Sequence, residues 1–138
     1  MIYLVRFHIG SGKTRNGATV QAQTIDRVQQ TLLREISRTW GGATSYTGTG
    51  AWVNDESKLV RERVMIIESY VEVSNNVPPR PDERTFVEVK SYATALAREA
   101  AHLLEQESVL VTYQTVCTME FIKEVDNGRE AEAVRTAE

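Results

Sequence analysis

The sequence predicts an α+β domain in which two helices cover one face of an antiparallel sheet. Two observations support this fold class. Four segments are rich in β-branched and aromatic residues or alternate apolar with polar ones, as strands do, and two others repeat apolar residues every three or four positions, as helices do. The segments follow in the order β-α-β-β-α-β, and a chain of 138 residues suits one such domain.

The first half of the chain predicts a strand and a helix. Residues 2–9 form the strand, and a loop with three glycines follows at residues 10–21. Thr24 is expected to cap the helix. The apolar stripe of that helix consists of Ile25, Val28, Leu32, Ile36 and Trp40. Gly41 and Gly42 supply the left-handed backbone with which helices commonly end.

A hairpin is predicted in the middle of the chain. Its strands are residues 43–52 and 59–73, joined by a polar turn at residues 54–57. Gly48 and Gly50 are poor strand residues, so a bulge or a close backbone approach is expected there.

The second helix is expected to begin after a proline-containing linker at residues 74–83, with Asp82 as its cap. Its apolar stripe consists of Phe86, Val89, Ala93, Leu96, Ala97, Ala100, Leu103 and Leu104. Residues 109–122 alternate and predict the last strand. Residues 1–122 therefore form one domain, and the polar residues 123–138 are expected to be a disordered tail.

This order of elements is that of the ferredoxin-like plait. Right-handed crossovers place both helices on one face of a four-stranded antiparallel sheet. The other face is expected to be bare, with the apolar residues Ile2, Leu4, Leu110, Val116 and Ile122 on it. Because an exposed apolar face usually marks an interface, the chain is predicted to self-associate, as a homodimer or higher oligomer, through this face or an edge strand.

Several short patterns resemble those of a group of small, functionally uncharacterised bacterial and phage-type proteins. They are the helix end at residues 40–44 (Trp-Gly-Gly-Ala-Thr), the strand end at residues 50–52 (Gly-Ala-Trp) followed by an acidic turn, and the late segment at residues 106–112. The likeness covers most of residues 1–122. It implies the plait and, because the motifs are structural, it implies no activity.

Composition and charge restrict which partners and which cellular compartment the sequence predicts. The net charge of -3 argues against nucleic acid as the main partner, since phosphate binding depends on clustered Lys and Arg. Cys117 is the only cysteine, which excludes an internal disulfide and permits a reducing compartment. The apolar residues 1–5 are too short for a membrane span and lack the features of a signal peptide. The cytoplasm is the predicted location, without a membrane partner.

The loop at residues 10–17 contains Gly-Ser-Gly-Lys-Thr, which ends as a phosphate-binding loop does. That motif needs a glycine five positions before Gly12, where Phe7 stands, and a helix directly after it. Nucleotide hydrolysis is therefore not predicted. Lys13 and Arg15 remain candidate ligands for a small anion, beside the simpler interpretation of a basic surface loop.

A small acid–base site is a second candidate. Its residues would be His8, Arg63, Glu68 and Tyr113, in a pocket between the sheet and the helices. Alternating charges on a strand more often form exposed ion pairs. Two isolated histidines and one cysteine do not make a zinc site, so neither a metal nor a cofactor is predicted.

Tyr46 and Trp52 are the aromatic residues for which stacking on a ligand is considered. Packing in the core or at an interface is the competing interpretation. Three hypotheses on function result. The first is a non-catalytic binding or assembly module that acts as a homo-oligomer, and the alternatives are a small-molecule enzyme and a nucleotide or anion binder that uses the loop at residues 10–17.

Overall fold

A computed structural model describes residues 1–124 and the backbone of a strand at Glu132–Thr136. The elements are β1 (Ile2–Gly10), α1 (Ala22–Trp40), β2 (Thr44–Val53), β3 (Leu59–Glu72), α2 (Phe86–Leu103), β4 (Leu110–Val116), β5 (Thr118–Ile122) and β6 (Glu132–Thr136). The main sheet has the order β2-β3-β1-β4, with antiparallel neighbours throughout. The predicted α+β class and the ferredoxin-like plait are confirmed. No described helix is both long and apolar enough to cross a membrane.

The core lies between the two helices and one face of the sheet. Its buried members come from β1 (Val5, Phe7, Ile9), α1 (Val28, Leu32, Ile36, Trp40), β3 (Met65, Ile67, Val71) and α2 (Val89, Ala93, Leu96, Ala97, Ala100). Removing each large apolar side chain from water stabilises the fold by about 1.5–3 kcal/mol. The stripes read from the sequence are therefore the surfaces that join helices to sheet.

The helix ends differ in part from the prediction. The extended residue before α1 is Gln21, which makes no side-chain capping bond, and Thr24 lies inside the first turn. The end at Gly41 is as expected, with a left-handed φ of 94°. The cap of α2 is Thr85 rather than Asp82, because the Thr85 side chain accepts the Glu88 N–H at 3.2 Å.

The last strand is interrupted, whereas the sequence predicted one strand over residues 109–122. Val116 pairs with Ile2, the first residue of β1, so the chain beyond it has no neighbour left in the main sheet. Its backbone groups need other partners, and β5 pairs with β6 in a separate two-stranded sheet. Residues 125–131 and 137–138 of the predicted tail lie outside the described residues, and the polar composition did not indicate the strand β6.

The face away from the helices is not a continuous apolar surface. Ile2 and Leu4 lie on it, yet their exposed fractions are only 2% and 9%, so they are not the bare residues that were predicted. Val116 is half-buried and Leu110 is exposed. Ile122 is 80% exposed but belongs to the second sheet. A charged pair, described below, occupies the centre of this face.

The two glycines of β2 produce a close approach and not a bulge. The register runs regularly past them, with Gly48 opposite Val64 and Gly50 opposite Glu62. A Cβ atom at Gly50 would lie 3.0 Å from Cγ2 of Val64. The missing side chain therefore leaves room for the neighbouring strand's valine.

Candidate functional site

A cavity of about 850 Å³ opens at the end of the sheet where β1 runs into the loop at residues 10–20. We call it the loop-side cavity. Its lining comprises His8, Gly10, Gly12, Lys13, Thr14, Arg15, Gly17, Thr19, Trp52, Val60, Arg61, Glu62, Arg63, Val64, Gln106, Glu107, Ser108 and Leu110. Ligand sites for small molecules span about 300–1,000 Å³, so the cavity has the right size for one.

Main-chain hydrogen bonds hold the loop that forms one wall of the loop-side cavity. The Ser11 N–H donates to the Arg63 carbonyl at 2.9 Å, and the Val20 N–H donates to the Gly12 carbonyl at 3.1 Å. The Arg15 N–H donates to the Glu105 carbonyl at 2.8 Å, which ties the loop to the chain after α2. The backbone at Lys13 and Arg15 is therefore held in place by hydrogen bonds.

Two oxygen atoms converge on one spot of the cavity floor. A Cβ atom at Gly10 would lie 2.5 Å from Oε1 of Glu62 and 2.5 Å from Oε1 of Gln106. The absence of a side chain at Gly10 therefore allows both oxygens to approach its backbone. Burial raises the pKa of the Glu62 carboxyl, so it holds its proton more readily than an exposed glutamate does.

Cations predominate in the lining. Lys13, Arg15, Arg61 and Arg63 face two carboxylates, Glu62 and Glu107. Among the described residues none of these four cations forms an ion pair. The loop-side cavity is thus locally positive in a chain whose net charge is -3, and it suits a ligand that carries an anionic group.

His8 lies on the face away from the helices and lines the cavity. Burial, and after it the neighbouring Arg6 guanidinium, lower the pKa of His8. The imidazole is therefore neutral at pH 7 and can accept a proton.

The two candidate aromatic residues are separated. Trp52 is 47% exposed and forms part of the cavity wall, with its ring available to a ligand. Tyr46 lies outside the lining, and its hydroxyl donates to Oε2 of Glu68 at 3.1 Å. The same oxygen accepts the Arg6 Nε–H at 2.8 Å. Burial, and after it the bond to Glu68, raise the pKa of Tyr46.

The predicted acid–base quartet is not brought together. His8 and Arg63 share the loop-side cavity, whereas Glu68 is paired with Arg6 at the centre of the open face. Tyr113 lies on the helix side, where its ring meets Phe86 edge-on at 5.4 Å, and burial raises its pKa. It lines a different cavity of about 370 Å³ between α2 and β4. A shared pocket between sheet and helices, as predicted, is therefore not formed by these four residues.

Gln106 was not a candidate from the sequence, and the alternating charges Arg61 and Glu62 were interpreted mainly as exposed cross-strand ion pairs. The run Arg61-Glu62-Arg63 interrupts an otherwise apolar strand, which was the available signal. Gln106 gave none, because a glutamine between a helix and a strand is ordinary. His102 is exposed on α2, away from the cavity. In residues 1–124 no group of three or more His, Cys, Asp or Glu side chains is placed to hold a metal ion.

The solved structures that share this fold include two of a phage SAM lyase. One is a phage SAM lyase in complex with S-methyl-5'-thioadenosine, with a TM-score of 0.56, 18% identity, and coverage of 99% of this chain and 90% of that chain. The other is a phage SAM lyase in the apo state, with a TM-score of 0.52, 19% identity and the same coverage. No protein-family model matches the chain, and no curated protein sequence does.

At such identity the likeness shows the fold alone. The leading sequence-based hypothesis, a non-catalytic binding or assembly module, is nevertheless corrected here, because both of these structures are of an enzyme. The phage-type part of the resemblance agrees with these neighbours, both of which are phage proteins.

Proposed function

We propose that the protein binds S-adenosylmethionine (SAM) in the loop-side cavity and cleaves it, with release of S-methyl-5'-thioadenosine (MTA). The observation that carries the proposal is the cavity itself. It combines unpaired cations, a half-buried carboxylate and an exposed tryptophan ring on a fold shared with a phage SAM lyase. Fold likeness alone would be a weak warrant for function, and the lining residues strengthen it.

Each kind of lining residue suits one part of SAM. The adenine ring stacks on Trp52, an interaction worth about 1–3 kcal/mol per base on an aromatic side chain. The carboxylate of the amino-acid moiety pairs with Lys13 or Arg63. The anion-binding role predicted for Lys13 and Arg15 becomes, in this proposal, recognition of that carboxylate.

The proposed reaction needs neither an acid nor an added water molecule. When the Cγ–S bond of SAM breaks, its electron pair goes to the sulfonium sulfur, and MTA leaves as a neutral thioether that needs no acid. A lyase adds no water, so the carboxylate oxygen of the same molecule forms the new bond to Cγ and closes a five-membered lactone. Catalysis then consists of holding the substrate folded, with its carboxylate opposite the departing sulfur.

The test is direct. Purified protein is incubated with SAM, and the products are separated by liquid chromatography and identified by mass spectrometry. MTA and the lactone are expected to appear in equal amounts. Trp52→Ala should lower the rate, whereas Tyr70→Ala, which removes a comparably exposed ring outside the cavity, should not.

Other products would have other meanings. A vinyl-containing amino acid beside MTA would show elimination, for which the neutral imidazole of His8 is the available base. An intact SAM pool after prolonged incubation with folded protein, at substrate concentrations that saturate binding, would refute the proposed reaction.

We also propose that the chain self-associates through β2. This edge strand of ten residues contains neither a charged residue nor a proline, the usual protections of an exposed edge. An antiparallel pair with its twofold axis at Gly48 places Tyr46 opposite Gly50 of a second copy, and Thr44 opposite the second copy's Trp52. Large rings then face small residues, which favours close cross-strand packing.

A further inference from the structure

We infer that Glu62 and Gln106 together bind the α-ammonium group of the substrate's amino-acid moiety. The inference rests on the proposed function and deepens it, because it assigns one chemical group of SAM to one spot in the loop-side cavity. That spot lies above Gly10, where the Oε1 atoms of both side chains converge.

The orientation of the Gln106 amide is fixed by its own hydrogen bonds. Its Nε2 donates to the Lys13 carbonyl at 2.7 Å and to the Leu104 carbonyl at 3.0 Å. Both N–H groups are thereby used, and a flipped amide would set its oxygen against two carbonyl oxygens. Oε1 of Gln106 is therefore held as an acceptor that faces the cavity.

The carboxylate of Glu62 supplies a second acceptor at the same place. Each oxygen would lie 2.5 Å from a Cβ atom at Gly10, so the two are no more than twice that distance apart. Among the described residues no hydrogen bond reaches either oxygen. Two acceptors that face each other without a donor repel, and one nitrogen placed between them can reach both at about 2.8 Å.

An ammonium group fits this pair better than the other parts of SAM do. It carries three N–H donors and a positive charge, which complements a carboxylate. The sulfonium has no N–H, and the adenine amino group, which has two N–H donors, is neutral and does not complement the charge of a carboxylate. The substrate's carboxylate and ammonium share one carbon, so their binding groups must be neighbours. The Gln106 amide donates to the Lys13 carbonyl, so the backbone that carries the Lys13 side chain lies beside Gln106.

The binding of two nucleosides distinguishes recognition of the amino-acid moiety from recognition of the nucleoside. S-adenosylhomocysteine carries the amino-acid moiety and MTA lacks it, and both are titrated calorimetrically into wild type and variants. Glu62→Gln and Gln106→Leu are each expected to weaken S-adenosylhomocysteine binding by about tenfold or more, as for a lost charge-assisted hydrogen bond. Binding of MTA should stay within about twofold, because no contact to the nucleoside is removed.

Gly10→Ala provides a second route to the same test. Its methyl group would lie 2.5 Å from each oxygen, so the Glu62 and Gln106 side chains would have to move and could no longer present both oxygens to one nitrogen. It should therefore weaken S-adenosylhomocysteine binding selectively, even if Gln106→Leu loosens the loop. Glu99→Gln, which neutralises an exposed carboxylate on α2 outside the cavity lining, is the control and should change neither affinity.

Each outcome decides between the alternatives. An equal loss of both ligands in Glu62→Gln and Gly10→Ala would assign the pair to the nucleoside and overturn the inference. Variants that fold like wild type and bind S-adenosylhomocysteine with unchanged affinity would overturn the inference too. If the wild type still cleaves SAM in that case, the proposed function stands. A wild-type protein that binds neither nucleoside and leaves SAM intact would remove both.

Discussion

At the scale of single residues, the charged form of Glu62, which is the form proposed to bind the substrate's ammonium group, is disfavoured by burial. Burial raises the pKa of this carboxyl, which means that the folded state disfavours its charged form. For an acid whose pKa is higher in the folded than in the unfolded state, the penalty is present above the folded pKa and fades as the pH falls through it. We therefore expect Glu62→Gln to raise the melting temperature at pH 7, with a difference from wild type that shrinks as the pH is lowered.

Thermal melts of both proteins over a pH series measure this difference. Glu107→Gln serves as the control for the loss of one negative charge. A Glu62→Gln variant that is less stable than wild type at pH 7 would mean that the carboxylate has a stabilising partner in the folded protein.

Lys13 gives the second prediction at this scale. It stands on a hydrogen-bonded loop within a locally positive cavity and pairs with no described carboxylate. If it holds the substrate's carboxylate, Lys13→Ala should raise the KM for SAM by about 5- to 30-fold, which corresponds to the loss of one partly exposed charge pair of about 1–2 kcal/mol. Lys58→Ala removes an exposed lysine outside the cavity and should leave KM unchanged. If both substitutions raise KM equally, Lys13 acts only through the overall charge of the protein.

At the scale of elements, the sequence predicted what depends on local pattern and missed what depends on neighbours. The stripe that ends at Trp40 and the alternation of β1 were sufficient to place both elements, since burial acts on each of them directly. The break at Cys117 was not predictable from its own segment. It arises because β1 begins at Ile2 and leaves no partner beyond Val116, which only the sheet register reveals.

The edge strand β2 carries the prediction at this scale. In the proposed twofold pairing, Thr47 of one copy faces Thr49 of the other, and both are exposed in the single chain. The variant T47D/T49D should be monomeric, and so should T47K/T49K, because each sets like charges opposite one another. An equal mixture of the two should dimerise again through opposite charges. Sedimentation velocity measures all three samples beside wild type.

Thr115→Asp on the other edge strand, β4, is the matched control and should leave the mass unchanged. Loss of association in that variant, with none in the β2 variants, would transfer the interface to β4. A wild-type chain that sediments as a monomer at every concentration would end the proposal of self-association.

At the scale of the whole molecule, the site illustrates why function was harder to predict than fold. Lys13, Trp52 and His8 were each singled out from the sequence, yet each had a common structural explanation. The loop-side cavity joins four separate segments of the chain, and no spacing in the sequence relates them. Glu62 and Gln106 approach Gly10 together only because the fold holds the loop against β3 and against the segment after α2.

The loop-side cavity leads to a prediction about the thermal stability of the intact protein. A ligand that binds only the folded state stabilises it by about 2.7 kcal/mol when its concentration is a hundred times its Kd. In a domain of this size such a gain corresponds to a rise in Tm of roughly 8–12 °C. S-adenosylhomocysteine at saturating concentration should produce this rise in wild type and a smaller one in Gly10→Ala at the same concentration, because that variant lacks the spot for the ammonium group. Differential scanning calorimetry with a ligand series measures it, and ATP, which has the same adenosine but no amino-acid moiety, is the comparison. A larger rise with ATP would identify the cavity as a polyphosphate site and favour the nucleotide-binding hypothesis over SAM cleavage.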